Sequence, residues 1–155
     1  MVRLPVTSST SRTVVVGLLG AVALMLAGTA GALAVPNSSG SPCSAAARAC
    51  VDLSAQQAWL MQNGGVIYGP VSVATGKASA PTHPGTFRVF WKDLHHRSSE
   101  FHNAPMPYSV FFNGDEAFHE GSLAVRSHGC VRLTHRAAPA FYETLHVGDL
   151  VQVIR

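Results

Sequence analysis

Residues 58–68, with the sequence AWLMQNGGVIY, decide the fold class of this chain. Two apolar runs, 58–62 and 66–68, flank the short segment Asn63-Gly64-Gly65. The tight turn that joins two antiparallel strands needs positive φ at both of its central residues, and Asn and Gly adopt that conformation most readily. The stretch therefore predicts a β-hairpin.

The same alternation of short apolar runs and turn residues continues on both sides of this hairpin. Further strands are predicted over 50–53, 71–74, 87–91, 108–112 and 117–119, with Asn113-Gly114 as a second hairpin turn. A short helix is predicted over 138–145, because Pro139 is tolerated in its first turn. Gly148-Asp149 then turns the chain into a last strand, 150–154. The fold class is therefore mainly β, a sandwich or barrel with one short C-terminal helix.

Composition and charge exclude two broad classes of protein. The chain has 155 residues, of which 47% are hydrophobic and 12% charged, so it is too apolar for an intrinsically disordered protein. Its formal net charge is +3, but Arg3 and Arg12 lie in the N-terminal leader and every acidic residue follows it. Without the leader, the positive and negative charges of the chain nearly balance. This argues against nucleic-acid binding, which requires a clustered basic face.

The N-terminus has the features of an export signal. Residues 1–13 are polar and basic, residues 14–26 are apolar, and Ala32-Leu33-Ala34 matches the A-x-A pattern of a signal-peptidase site. We expect a signal peptide over 1–34, cleaved after Ala34, a linker over 35–49 and one domain over 50–155 of an exported protein. The alternative is a retained anchor helix, since 14–35 is long enough to span a bilayer.

If the protein is exported, its three cysteines are expected to differ in oxidation state. Cys43 and Cys50 are close in sequence, so in an oxidising compartment they are expected to form a disulfide. The alternative is two unrelated thiols. Cys130 is left without a partner, which makes it the most informative residue in the chain.

The chemistry-bearing residues are concentrated around Cys130, in residues 118–133. A cysteine attacks carbonyl groups as a thiolate, so it needs a nearby base. His119 and His128 are both candidates for that base. Gly129 would let the backbone N–H groups face a developing oxyanion, and Arg132 could hold a carboxylate. The alternative is a buried core cysteine beside structural His and Arg side chains.

The stretch SHGCVRL, residues 127–133, resembles the signature of the L,D-transpeptidases, bacterial cell-wall enzymes with a YkuD-type catalytic domain. Further similarity to that family occurs in the expected order at VDLS (51–54), QAWL (57–60), VATG (73–76), THPGTF (82–87) and GDLV (148–151). The resemblance covers residues 50–155.

This resemblance implies a role for each matching residue. Cys130 would be the nucleophile and His119 its base, and Gly129 together with Cys130 would supply the oxyanion N–H groups. The other residues expected in the site are Ser127, His128, Arg132 and Tyr108, the last on a loop that covers the cleft. Two departures stand out: Glu120 follows the base where the family has Gly, and the segment between His119 and Cys130 is shorter than usual.

The implied function is a cysteine-dependent L,D-transpeptidase, active as a monomer, that forms 3→3 cross-links between peptidoglycan stem peptides. No metal or organic cofactor is implied, and carbapenem-type β-lactams are expected to acylate the cysteine. One alternative is an L,D-carboxypeptidase using the same site, and another is a non-catalytic module that binds the cell wall.

Other classes fit the residues less well. Six residues with nitrogen or sulfur donors could in principle bind zinc, but the paired Cys-x-x-Cys or His-Glu-x-x-His spacing of zinc sites is missing. The six residues are His95, His96, His102, His119, His128 and Cys130. A sortase-like enzyme would have Thr-Leu-x-Thr-Cys around the nucleophile, and papain-like peptidases place Cys before His.

Overall fold

The computed structural model describes residues 40–155, which form nine strands and one helix. The strands pair into a five-stranded sheet in the order β3-β2-β1-β9-β4 and a four-stranded sheet in the order β5-β6-β7-β8. The fold class predicted from the sequence is confirmed. The elements are β1 (Ala49–Asp52), β2 (Gln57–Gln62), β3 (Gly65–Ser72), β4 (Gly85–Arg88), β5 (Trp91–Arg97), β6 (Pro105–Asn113), β7 (Glu116–Glu120), β8 (Val131–Leu133), α1 (Ala137–Thr144) and β9 (Leu150–Ile154).

The hairpin predicted from residues 58–68 is formed by β2 and β3. Asn63 and Gly64 have φ of 51° and 78°, and Gln62 pairs with Gly65 across the turn. The turn chemistry thus sets the register, as expected for a two-residue connection. β3 extends to Ser72 and takes in the start of the separate strand that was predicted over 71–74.

The strand predicted over 87–91 is instead divided between the two sheets. The Val89 N–H donates to the Asp149 carbonyl beside β9, whereas the Phe90 N–H donates to the Phe111 carbonyl on β6. The chain therefore leaves one sheet and enters the other within two residues. Most of β5 and all of the three-residue β8 were not predicted from the sequence.

The hydrophobic core lies between the two sheets and the helix. Phe141 of α1 packs edge-on against Tyr68 of β3 and at a tilt against Phe118 of β7, with ring centroids 6.4 Å and 5.1 Å apart. These side chains come from both sheets and the helix, so all three share one core. Burying each such aromatic side chain contributes about 1.5–3 kcal/mol. This core holds β7 and β8 in the positions from which the site is built.

Residues 40–49, part of the predicted linker, pack against the five-stranded sheet. Cys43 and Cys50 form a disulfide, with Cα atoms 5.7 Å apart. The disulfide lies in a second buried cluster with Ala47, Trp59 and Met61. The first strand also begins at residue 49, so part of the predicted linker belongs to the folded structure.

The predicted signal peptide over 1–34 and the alternative of an anchor helix over 14–35 lie outside the described residues. Within residues 40–155, no helix has the length and apolar character required to cross a bilayer.

Candidate active site

A cavity of about 470 Å³ opens on the four-stranded sheet. Five side chains that the sequence predicted for the site line it together: His119, Ser127, His128, Cys130 and Arg132. Cys130 is partly exposed, so its sulfur borders this space. The volume lies within the range of pockets that enclose small ligands or short peptide segments.

Parallel pairing of β7 with β8 brings the cysteine and the histidine together. Phe118 pairs with Val131, and His119 pairs with Arg132. Phe118 and Val131 belong to the core, so alternation along each strand projects His119, Cys130 and Arg132 from the opposite face of the sheet. The segment 121–130 therefore folds back and returns Cys130 to the strand beside His119.

The His119 ring is buried and fixed in one orientation. Its Nδ1–H donates to the Glu120 carbonyl at 2.7 Å, which leaves Nε2 as the proton-accepting nitrogen. Burial lowers the pKa of His119 to about 4; the Glu120 hydrogen bond raises it, and the nearby Arg132 and His96 lower it further. At neutral pH the imidazole is therefore uncharged and able to accept a proton.

The Cys130 thiol is protonated in the resting site. Burial raises the pKa of the thiol, and the carboxylates of Glu116 and Asp115 raise it as well. A hydrogen bond from the Ala117 backbone N–H and the charge of Arg132 lower this pKa. The dominant cause is burial, so a thiolate forms only when a base removes the proton.

The backbone before Cys130 is held by several hydrogen bonds. The Ser127 hydroxyl donates to the Cys130 carbonyl, the Gly129 N–H donates to Ser127 Oγ at 3.2 Å, and the Thr82 hydroxyl donates to the Gly129 carbonyl at 2.6 Å. Gly129 has φ of 122°, a conformation that favours glycine. Of the two N–H groups predicted to face an oxyanion, that of Gly129 is thus engaged within the loop.

His128 is a poorer candidate for the base than His119. Its Nε2 lies 2.6 Å from Lys77 Nζ, so an ammonium group occupies the nitrogen lone pair. Its ring also packs against Phe101, with centroids 4.7 Å apart. Of the two histidines that the sequence left open, His119 is the one whose hydrogen bonding leaves Nε2 able to accept a proton, and His128 forms part of the wall.

The departure from the family pattern at Glu120 is accommodated locally. Glu120 orients His119 through its carbonyl, while its side chain pairs with His135 at 3.0 Å. Gly121, one place later than the glycine of the family pattern, lies against the Arg132 side chain. A Cβ at this position would be only 2.9 Å from Arg132 Cδ. The lack of a side chain at residue 121 therefore gives Arg132 room to reach the cavity.

Tyr108 does not line the cavity, and its predicted place on a covering loop is wrong. It lies within β6 and packs edge-on against Tyr142 of α1, with ring centroids 6.0 Å apart. The Tyr108 side chain lies on the helix side of the sheet, where it packs against the hydrophobic core. The loop 98–104, between β5 and β6, borders the cavity, as does the segment 121–130.

Several residues of the cavity were not predicted from the sequence. They come from β5, β6 and the loop between these strands, and include His96, Glu100, Phe101, Met106 and Phe111. The predicted strand ended at residue 91, so the β5–β6 hairpin was missed. A usable signal was present in Asn103, a residue type that favours turns and has φ of 59° here.

The zinc alternative has no counterpart in the part of the chain that the structure describes. Across residues 40–155, no group of three His, Cys, Asp or Glu side chains is arranged to hold a metal ion.

Comparison with known proteins identifies the family to which the geometry corresponds. A family model for the L,D-transpeptidase catalytic domain (YkuD) matches residues 46–153. A crystal structure of an L,D-transpeptidase (Yku) from Stackebrandtia nassauensis is 36% identical, with a TM-score of 0.66, and the match covers 69% of this chain and 54% of that one. No curated protein matches the chain.

Two more distant structures have the same fold. An L,D-transpeptidase from Enterococcus faecium, solved as a cysteine-to-serine mutant, is 20% identical with a TM-score of 0.63, covering 73% of this chain and 51% of that one. An L,D-transpeptidase solved in complex with imipenem is 23% identical with a TM-score of 0.62, covering 68% and 57%. The chain thus spans little more than half the length of the solved structures that it matches.

Proposed function

Because the chain belongs to the L,D-transpeptidase family, we propose that it joins peptidoglycan stem peptides by 3→3 cross-links through an acyl-enzyme on Cys130. The observation that supports this most directly is the arrangement of Cys130 and His119 around one cavity, on one face of two paired strands. The His119 ring is oriented by the Glu120 carbonyl, so that Nε2 is the nitrogen that can receive a proton.

In the first step, the Cys130 sulfur bonds to the carbonyl carbon of the amide between the diamino acid and the terminal D-Ala of a donor stem. The thiol proton passes to His119 Nε2. The C–N bond then breaks, and D-Ala leaves with that proton on its amine. A thioester on Cys130 remains.

In the second step, the side-chain amine of an acceptor stem attacks the thioester. His119 takes a proton from the attacking amine and returns it to the departing sulfur, so the new amide forms and the thiol is restored. General acid–base catalysis of this kind contributes about 10²–10⁴-fold to the rate.

Proton transfer and attack are coupled in this scheme, because a resting thiolate–imidazolium pair is unfavourable. The pKa of the thiol lies above its ordinary value of 9.0 and that of His119 is about 4. Both shifts disfavour transfer of the proton from the sulfur to the imidazole in the empty site. The neutral pair therefore predominates until substrate binds.

Two further groups have roles in substrate binding. The Cys130 N–H would stabilise the oxyanion of the tetrahedral intermediate, because the Gly129 N–H already donates to Ser127. Arg132 projects into the cavity beside His119 and would hold a stem-peptide carboxylate through its guanidinium.

Export of the protein is part of the same proposal. Peptidoglycan lies outside the cytoplasm, and the sequence of residues 1–34 has the features of a cleaved signal. The Cys43–Cys50 disulfide is consistent with an oxidising compartment.

A carbapenem tests the proposal, and one related enzyme has been solved in complex with imipenem. Intact-protein mass spectrometry after incubation with imipenem should reveal one covalent adduct on the wild-type protein and none on Cys130→Ala. An unmodified wild-type protein, or an adduct that persists in Cys130→Ala, would refute the assignment of Cys130. The first of these results would favour the non-catalytic wall-binding module.

The products of a purified tetrapeptide muropeptide distinguish cross-linking from hydrolysis. Transpeptidation gives a cross-linked dimer and D-Ala, whereas an L,D-carboxypeptidase gives a tripeptide and D-Ala. Tripeptide without dimer would replace the cross-linking proposal with the carboxypeptidase alternative.

A further inference from the structure

A buried acid, Glu116, lies behind the nucleophile and takes no part in the mechanism above. Its Oε1 accepts the His83 backbone N–H at 3.1 Å and the His83 Nδ1–H at 2.5 Å. Its Oε2 is buried with no hydrogen-bond partner. The carboxylate is thus held through one oxygen while the other is left unsatisfied.

This carboxylate contacts the backbone that carries the nucleophile. A Cβ placed on Gly129 would lie 3.5 Å from Glu116 Cγ and 3.9 Å from Oε1, and Gly129 immediately precedes Cys130. Thr82, adjacent to His83, donates its hydroxyl to the Gly129 carbonyl. One short segment therefore anchors both the acid and the nucleophile loop.

Fold stability alone gives no reason for a charged group at this position. An unsatisfied buried polar atom costs about 1–3 kcal/mol, more if it is charged. An apolar side chain of similar volume is often as good or better in such a place. Alternation along β7 puts Glu116 on the same face as Phe118, which belongs to the core. The negative charge is retained where an apolar side chain would pack.

The charged groups around Cys130 come from each element packed against it. The turn before β7 contributes Asp115, β7 contributes Glu116 and His119, and β8 contributes Arg132. His96, Glu100 and His128 border the same cavity. Asp115 and Glu116 both raise the pKa of Cys130, and Glu116 has the larger effect of the two.

Building on the proposed role of Cys130, we propose that Glu116 is a positioning residue whose buried charge, held by His83, reinforces the effect of burial in keeping the nucleophile a neutral thiol until substrate triggers proton transfer to His119. A neutral thiol is much less reactive than a thiolate toward oxidants and adventitious electrophiles. The pair would thus restrict the reactivity of Cys130 to the occupied site.

The pH profile of Cys130 alkylation by iodoacetamide tests this inference. Mass spectrometry gives the rate for the wild-type protein, Glu116→Gln and the matched control Glu143→Gln, whose side chain is exposed on α1. Glu116→Gln removes the charge and keeps the shape. Its alkylation midpoint should move down by about one pH unit, the effect of one charge several ångströms away. Near neutral pH the rate should rise about threefold, because a more acidic thiolate is also a weaker nucleophile. Glu143→Gln should match the wild type.

A role for Glu116 in stability alone predicts a different result. Thermal melting would then change while the alkylation midpoint stayed within error of the wild type, and the inference would be overturned. A midpoint that moved upward would overturn it too. Should Glu116→Gln not fold, Glu116→Met carries the same test, because the methionine side chain has no polar group that burial would leave unsatisfied and the same downward movement is expected.

Failure of this inference is separable from failure of the proposed function. If imipenem does not acylate wild-type Cys130, the proposed function is wrong. If imipenem acylates it and the midpoints of both Glu116 variants equal that of the wild type, only the role of Glu116 is wrong.

Discussion

Replacing His119 should remove much of the acid sensitivity of the fold. His119 is only 7% exposed, and its burial lowers the pKa to about 4 from the ordinary 6.5. In the unfolded chain the imidazole binds a proton as the pH falls through 6.5, whereas in the folded protein it stays neutral until about pH 4. The unfolded state therefore gains protons first, and stability falls with pH across this interval.

The size of the effect follows from the two pKa values. Their difference corresponds to about 3 kcal/mol when fully expressed, and about 2.5 kcal/mol of it is lost between about pH 7 and pH 4.5. For a domain of this size, such a loss lowers the melting temperature by about 10 °C.

Urea denaturation at about pH 7 and about pH 4.5 measures this contribution. The wild type should lose about 2.5 kcal/mol more than His119→Gln over that interval, because glutamine does not titrate. His95→Gln, which changes an exposed histidine outside the cavity, should behave as the wild type. Equal losses in the wild type and in His119→Gln would show that His119 is not a buried neutral imidazole, and the mechanism would lose its base.

Three further predictions concern the same site and its scaffold. Acylation by imipenem should decline as the pH falls through about 4, where the buried imidazole gains a proton; a decline centred near 6.5 in rate measurements would contradict its lowered pKa. Gly121→Ala should displace Arg132 and weaken apparent imipenem binding about fivefold, the equivalent of about 1 kcal/mol, with little change in the acylation rate constant. Gly65→Ala, whose nearest contact would be 3.6 Å away, is the control, and equal kinetics in the two variants would exclude that role. Replacing Cys43 and Cys50 by alanine should reduce the free energy of unfolding by about 2.5 kcal/mol, as measured in urea, and leave acylation unchanged; a loss of acylation in the folded variant would tie the disulfide to the site.

Local sequence chemistry predicted the parts of the fold that depend on neighbouring residues. The Asn63-Gly64 turn, the helix that tolerates Pro139 in its first turn, and the last strand all follow from conformational preferences within a few positions. The prediction failed at residues 89–91. There the chain changes sheets, because Val89 bonds to the segment before β9 and Phe90 bonds to β6, and a continuous β-rich run contains no signal for that change.

The site was predictable in its proposed reacting groups and less so in its surroundings. Cys130 and His119 were identifiable from the Ser-His-Gly-Cys motif and a histidine on the preceding strand. The residues by themselves left His128 open as the base; the family resemblance implied His119, and the contacts of Glu120 and Lys77 favour that choice. These contacts set which ring nitrogen can accept a proton, and spacing along the chain does not define them.

The sequence by itself determined a mainly β domain with a cysteine nucleophile motif, because strand patterns, turns and the motif each lie within a few consecutive residues. Tertiary structure alone decided that Glu116 meets His83 across 33 positions, that Tyr108 packs against the helix, and that the loop 98–104 borders the cavity. Such contacts depend on how two sheets share one core, and so does the burial that keeps both the thiol and the imidazole neutral. Burial is a property of the packed chain and belongs to no single stretch of it.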